Sequence, residues 1–347
     1  MAAIVITSAK AIRGITAFAQ DTFVSYMFVL AALILLVMYF TANKIVQKRL
    51  GSGTEEALTY SCLRGFVSAL IFFVIYVIMY RALPAITPYS LWMSALLALC
   101  VCAYTLLGFR ILSLGSLSIF TVFLMLGGMI IPYLYGVIWL NEGINVFRIV
   151  GIVLMVISLF LPLIGTRKSE TAGEKTGVKK RIIFGVICFA VFMLNGIVSV
   201  ISKTHALKMS DQRPVLITFV MLCTLSNGVL SLISLIAIKL FARIRGRKDK
   251  ESASPETEKE SGSGVALAAF RSAFVFIVLA AAFDGISFMF QQFGASKLPA
   301  SVMYPIQTGG SIVLTALVGF LLFKEKPTKI ALIGLAITFA ATFLFLF

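Results

Sequence analysis

The chain has 347 residues, is 60% hydrophobic and only 13% charged, and carries a formal net charge of +16. A soluble domain is roughly 45–50% apolar and about 25% charged, so composition excludes an ordinary soluble protein. The Lys and Arg residues sit mostly in short segments between apolar runs, where they set membrane orientation, so the positive charge signals a lipid bilayer and no nucleic-acid partner.

Apolar runs of membrane length recur along the chain. Backbone groups in hydrocarbon must be satisfied within their own segment, so long continuous runs of this kind predict helices and not barrel strands. Residues 1–22 are mildly amphipathic, with Lys10 and Arg13 following the apolar part, the reverse of the order in a cleaved signal peptide. The expectation there is an interfacial helix. The first span is predicted over Phe23–Ala42, followed by a basic loop, Asn43–Ser61. Further spans are predicted over Cys62–Tyr80, Ser90–Phe109, Leu114–Trp139 and Val146–Ile164, then a charged linker at 165–181. The second half repeats the plan over Ile182–Ile201, Pro214–Ile238, Phe270–Phe290, Pro299–Leu322 and Lys329–Phe347. A Ser/Glu/Lys-rich segment at 241–264 interrupts it and has the composition of a flexible loop.

The fold class expected is therefore an all-α integral membrane protein of ten transmembrane helices, arranged as two five-helix units, 23–164 and 182–347. A shift of 183 positions superposes part of the first unit on the second without a gap. Ser113 falls on Ser296, Ser118 on Ser301, Gly127 on Gly310, Gly136 on Gly319, Glu142 on Glu325 and Gly151 on Gly334. Hydrophobicity demands neither these glycines nor the glutamate, so an internal duplication is inferred. Five crossings per unit make the halves upside down relative to each other, the inverted-repeat plan of many secondary transporters, with a site at mid-membrane. The N-terminal side holds Lys10, Arg13, Arg81, Arg148, Lys203, Lys208, Arg213 and Lys297, eight of the thirty Lys and Arg. The other side holds the remaining 22, which places both linkers in the cytoplasm and both termini outside.

The ends of the fourth and ninth predicted spans read GVIWLNE (136–142) and GFLLFKE (319–325), each followed by a new apolar run, IVGIVLM (149–155) and LIGLAIT (332–338). On these segments and the five-plus-five layout the chain resembles the drug/metabolite transporter superfamily, in particular its EamA-like ten-helix branch. The resemblance covers nearly the whole chain. It departs from the family pattern where a glycine commonly precedes the glutamate: Asn141 and Lys324 stand there. It implies a ten-helix bundle at the cell membrane that moves small organic solutes, usually outward and often against a proton gradient. It also implies a central cavity lined by the first, third, fourth, sixth, eighth and ninth spans, and cytoplasmic termini, against the charge count.

Asp284 is the acidic residue nearest the middle of a predicted span. A carboxylate there costs about 2.5–3.5 kcal/mol on insertion scales, so it needs a reason. Asp284, Ser287, Phe288 and Gln291 share one helical face, read as lining a polar cavity. The functional reading of Asp284 is a proton- or cation-binding group whose burial shifts it towards physiological titration; the alternative is a hydrogen-bonded residue that ties helices together. Tyr304, Gln307, Thr308, Ser311 and Thr315 form a second polar stripe, with Pro305 freeing a carbonyl. It is read as substrate-lining, with interhelical hydrogen bonding as the alternative. Asn195, Ser199 and Ser202 form a shorter stripe, Asn227 is read as helix–helix glue, and Tyr104 and Tyr133 as amphipathic walls or core aromatics. Ala281 and Gly285 give a small-xxx-small contact. Glu142 and Glu325 are expected to cap the helix that follows each of them or to pair with a nearby cation, and Lys203 and Lys44 to snorkel to the interface.

The five cysteines, Cys62, Cys100, Cys102, Cys188 and Cys223, fall in or beside apolar runs without metal-ligand or redox spacing, and read as small apolar filler. His205, the single histidine, is read as a loop residue and leaves no histidine metal site or hydrolytic triad to expect. With no GxxxxGK[ST] loop, ATP drive within this chain is not expected, nor is any cofactor. The sequence thus points to a secondary transporter of a small metabolite such as an amino acid, with protons as a possible coupling ion. A multidrug or cationic-compound exporter of the same fold, a non-transporting receptor or assembly subunit, and a membrane-embedded enzyme are the alternatives. Oligomeric state and substrate are not legible.

Overall fold

The computed structural model describes residues 2–50, 53–112, 117–170, 178–250, 263–324 and 328–347. Among them every regular element is an α-helix: α1 Ala2–Leu50, α2 Thr54–Tyr80, α3 Pro88–Leu112, α4 Leu117–Trp139, α5 Val146–Glu170, α6 Val178–Lys208, α7 Arg213–Lys250, α8 Ser263–Ala295, α9 Ala300–Phe323 and α10 Lys329–Leu344. Eight of these, α1–α4 and α6–α9, contain a stretch of 20 to 29 residues long and apolar enough to cross a membrane. The apolar parts of α5 (Val146–Leu161) and α10 are shorter. Large apolar side chains such as Trp92, Phe73, Ile78 and Phe274 cover the outside, while Ser68, Ser202, His205 and Gln292 are buried. This is a multi-pass membrane protein, with apolar side chains toward lipid and a minority of polar groups buried among the apolar core.

The helices outrun the apolar windows. The predicted loop at 43–61 is largely helical, because α1 runs to Leu50 and α2 starts at Thr54. Residues 2–22 are helical and continuous with the first membrane-length stretch in the 49-residue α1. The linker at 165–181 narrows to the stretch between α5 and α6, and 241–264 to that between α7 and α8; residues 171–177 and 251–262 lie outside the described residues. The physical reason is that a charged side chain ends an apolar window without ending a helix, whose backbone bonds are satisfied internally.

Helix pairing follows a pattern. Helix α2 packs on α7, α4 on α9 and α5 on α10, so each partner lies five helices along the chain. Further contacts come in exchanged pairs: α1 on α8 and α3 on α6, α1 on α9 and α4 on α6, α2 on α8 and α3 on α7; the packing of α7 on α8 has no such counterpart among the described residues. The direction of the counterparts can be read from contacts. Ser61 bonds Ser231 while Phe72 and Tyr76 pack with Ile217 and Met221, so α2 and α7 run antiparallel. Gly151 lies against Phe345 while Ser158 bonds Thr338, so α5 and α10 also run antiparallel.

Both left-handed residues that close α4 and α9 stand at the matched positions before the glutamates: Asn141 (φ 52°) and Lys324 (φ 52°). An L-residue other than Gly or Asn pays roughly 1–2 kcal/mol there, which explains why a glycine suits this site. The turns at 81–87, 140–145, 209–212 and 296–299 gather at one end of the bundle, joined by contacts such as Glu142 to Ala300 and Lys297 near Asp211.

Candidate functional site: a polar cavity between the halves

Between the helices lies a cavity of about 410 Å³. Its wall is built by α1–α4 and α6–α9, so α2 and α7 join the six spans expected there. All nine residues singled out from the sequence, Tyr104, Asn195, Asp284, Ser287, Gln291, Tyr304, Gln307, Thr308 and Ser311, line it. Thr315, the last member of the ninth-span stripe, is exposed on the outside of the bundle instead. Asn227 lines the cavity as well, and Tyr133 is buried away from it.

The residue that sequence reasoning missed is Arg64. Its Nη1 donates to Asp284 Oδ2 across the α2–α8 contact, so the mid-membrane carboxylate is compensated and not alone. The guanidinium also lies over the Tyr39 ring, 5.4 Å from its centroid, a cation–π arrangement. Arg64 reaches this place because α2 and α7 touch backbone to backbone: a Cβ on Gly65 would sit 2.6 Å from Gly228 Cα. The missed signal was helix length. With α2 beginning at Thr54, Arg64 is about ten residues inside it, not at a span edge.

Several predicted polar groups are engaged within the protein. Asn195 Nδ2 donates to the Leu124 carbonyl (2.7 Å), Ser287 Oγ to that of Ala32 (2.7 Å), Tyr304 Oη to that of Ser199 (2.7 Å) and Ser311 Oγ to that of Thr308 (2.9 Å). These bonds fix the wall, and the first three cross between helices. Gln307 Oε1, Ser68 Oγ and Arg64 Nε are buried without a hydrogen-bond partner among the described residues. Pro132 inside α4 removes the donor that would engage the carbonyl of Gly128, another lining residue.

The lining positions correspond between halves. In α1–α2 against α6–α7 the residue numbers differ by 159: Leu36 and Asn195, Tyr39 and Val198, Phe40 and Ser199, Arg64 and Cys223, Gly65 and Thr224, Ser68 and Asn227. In α3–α4 against α8–α9 they differ by 183: Val101 and Asp284, Tyr104 and Ser287, Leu124 and Gln307, Met125 and Thr308, Gly128 and Ser311. The change of offset, 24, is the length of the segment 241–264.

At the turn end Glu142 and Lys203 are held by backbone. Glu142 caps α9, not the α5 that follows it, because the other half brings two free backbone donors to its carboxylate: Oε1 accepts from Ala300 N (2.6 Å) and Oε2 from Ser301 N (2.7 Å). It folds back over Gly136, where a Cβ would meet Oε2 at 2.5 Å. Its counterpart Glu325 lies outside the described residues. Lys203 does not snorkel: it is 1% exposed, and Nζ donates to the carbonyls of Ala295 (2.7 Å) and Leu298 (2.5 Å) at the end of α8. His205 is no loop residue either. It is buried in α6, stacked on Phe219 with its Nε2 bonded to Ser90 Oγ (2.8 Å). Arg64 and Lys203 are both inside the bundle, so neither belongs in the charge count between the expected sides. All five cysteines are free and buried.

Residues 261–338, which take in α8, α9 and most of α10, match the model of the Small Multidrug Resistance protein family, a family of the drug/metabolite transporter superfamily. No curated protein is significantly similar to this chain. Among 28 matching solved chains, one described only as "Crystal structure of protein" superposes with a TM-score of 0.64 over 92% of this chain and 95% of its own length, at 13% identity. At that identity the likeness is one of fold alone.

Proposed function

We propose that this chain is a secondary transporter that moves a small organic metabolite, such as an amino acid, out of the cell by alternating access, and that it belongs with the EamA-like ten-helix transporters. It acts on its solute without catalysing a reaction. Two inverted five-helix repeats rock about the central cavity, and the linkers at 165–181 and 241–264 face the cytoplasm. The observation that carries this reading is the cavity itself: matched positions of the two halves surround mid-membrane space that holds one acid and one base. The antiparallel course of α2 against α7 and of α5 against α10 supports inversion, since counterpart helices in inverted repeats run in opposite directions. The match of 261–338 to a family named for multidrug resistance supports a transport role for the second half.

Asp284 is the proposed proton-coupling residue, and Tyr104, Asn195, Ser287, Gln291, Tyr304, Gln307, Thr308 and Ser311 the proposed solute-binding wall. Asp284→Asn is expected to insert in the membrane but to abolish proton-driven flux of the solute found by an efflux screen. Undiminished proton-driven uptake by the purified variant in proteoliposomes would remove Asp284 from that role.

A further inference from the structure

We propose that the cavity admits only loads that keep it electrically neutral, and that the load must bring an anionic group to take Arg64 from Asp284. This rests on the transport reading above. Arg64 and Asp284 are the only charged side chains among the residues that line the cavity, and they neutralise each other. The groups facing the pair from α1, α2 and α3 are Tyr39, Tyr60 and Tyr104, none of them a formal charge. The two partners are not equivalent. A carboxylate can accept a proton, whereas a guanidinium keeps its charge at any pH a protein meets. The pair therefore opens only to a ligand that compensates Arg64.

A lone lipophilic cation does not meet that condition. To reach Asp284 it must strip away the guanidinium and leave it unpaired in a low-dielectric cavity. A carboxylate or phosphate meets it, because the planar fork of Arg64 suits either group in a two-bond contact. Two unused donors stand ready on α2: Arg64 Nε, and Ser68 Oγ one turn further along the helix. Asp284, once released, is compensated by an ammonium group on the same solute or, for a simple acid, by one proton taken from the aqueous side. Either load is net neutral. Gln307 Oε1, an acceptor without a partner, suits the ammonium end.

The test uses the purified full-length protein and reads both thermal protection and counterflow in proteoliposomes. The probes are the proteinogenic amino acids, their methyl esters, the phosphodiester glycerophosphoethanolamine, propionate and tetraphenylphosphonium. At least one zwitterion is expected to protect, about tenfold or more tightly than the cationic ester or phosphonium. Whether the amino acids or glycerophosphoethanolamine win distinguishes carboxylate from phosphate. The Arg64→Gln/Asp284→Asn double variant keeps the cavity neutral, so it is expected to fold and to lose the preference for acid over ester. Phosphonium or esters binding as tightly as zwitterions, a double variant that keeps the preference, or protection by neither a zwitterion nor propionate would each overturn the proposal. Selective binding without flux would support this selectivity and contradict the transport reading.

Discussion

Tyr39, Tyr104, Leu124 and Met125 in the first half correspond in register to Val198, Ser287, Gln307 and Thr308 in the second. The first half thus lines the cavity with aromatic and aliphatic groups around one cation, and the second with hydroxyls and amides around one anion. Neither charge is duplicated: Arg64 corresponds to Cys223 and Asp284 to Val101. Backbone approach and helix pairing keep the lining positions in step, because a helix that shifts by one residue turns its whole face away. Side-chain chemistry is free of that constraint and has diverged. An organic solute with unlike ends needs such an asymmetric box, and a symmetric scaffold supplies it only if the halves differ in chemistry.

The strongest way to break this comparison is Arg64→Ala. It leaves Asp284 without its partner, and loss of one member of a buried pair costs about 3–5 kcal/mol; the cavity exposure of Asp284, 24%, points to the lower figure. Thermal denaturation in detergent should show a large fall, and counterflow should drop to background. Unchanged melting would mean that the pair carries no energetic weight.

Next in size is Glu142→Gln, which weakens the clamp from the α4–α5 turn onto the first donors of α9. An expected loss of about 1–2 kcal/mol follows from removing a charge-assisted helix cap. Because this contact joins the halves at the turn end, the variant should also change how readily a cavity cysteine is labelled from that side. A melting curve that does not move would show the clamp to be spent in the native state.

The smallest effect sharpens the comparison between the two αL positions. Lys324→Gly should stabilise by about 0.5–1 kcal/mol, since the strain it relieves exceeds the extra freedom of glycine in the unfolded chain. Asn141→Gly should gain less, because asparagine tolerates the left-handed region. Equal shifts in melting temperature would argue against that distinction.

The helices and the polar face of the cavity were legible because polar groups within an apolar run are costly and stand out at helical spacing. Asp284, Ser287 and Gln291 lie on one face, and so do Tyr304, Gln307, Thr308 and Ser311; all line the cavity. What could not be read were contacts between distant segments. Arg64 stood at the edge of the second predicted span, Cys62–Tyr80, until α2 proved to begin at Thr54. Lys203 sat just past an apolar window, and only the arrival of the α8 carbonyls accounts for its burial. Glu142 was recognised as a cap, but the helix it caps belongs to the other half.

Inversion of the halves depends on an odd number of crossings in each, and so on α5, whose described apolar part spans Val146–Leu161. At about 1.5 Å per residue such a stretch is shorter than a hydrocarbon core of about 30 Å. The most direct measurement is labelling of single cysteines at Ala2→Cys and Thr171→Cys in intact cells, with a membrane-impermeant maleimide, in a background free of the native cysteines. The account predicts that Ala2→Cys reacts from outside and Thr171→Cys only after permeabilisation. Reaction of both from the same face would mean that the first half crosses an even number of times, and the inverted, alternating cavity would be contradicted.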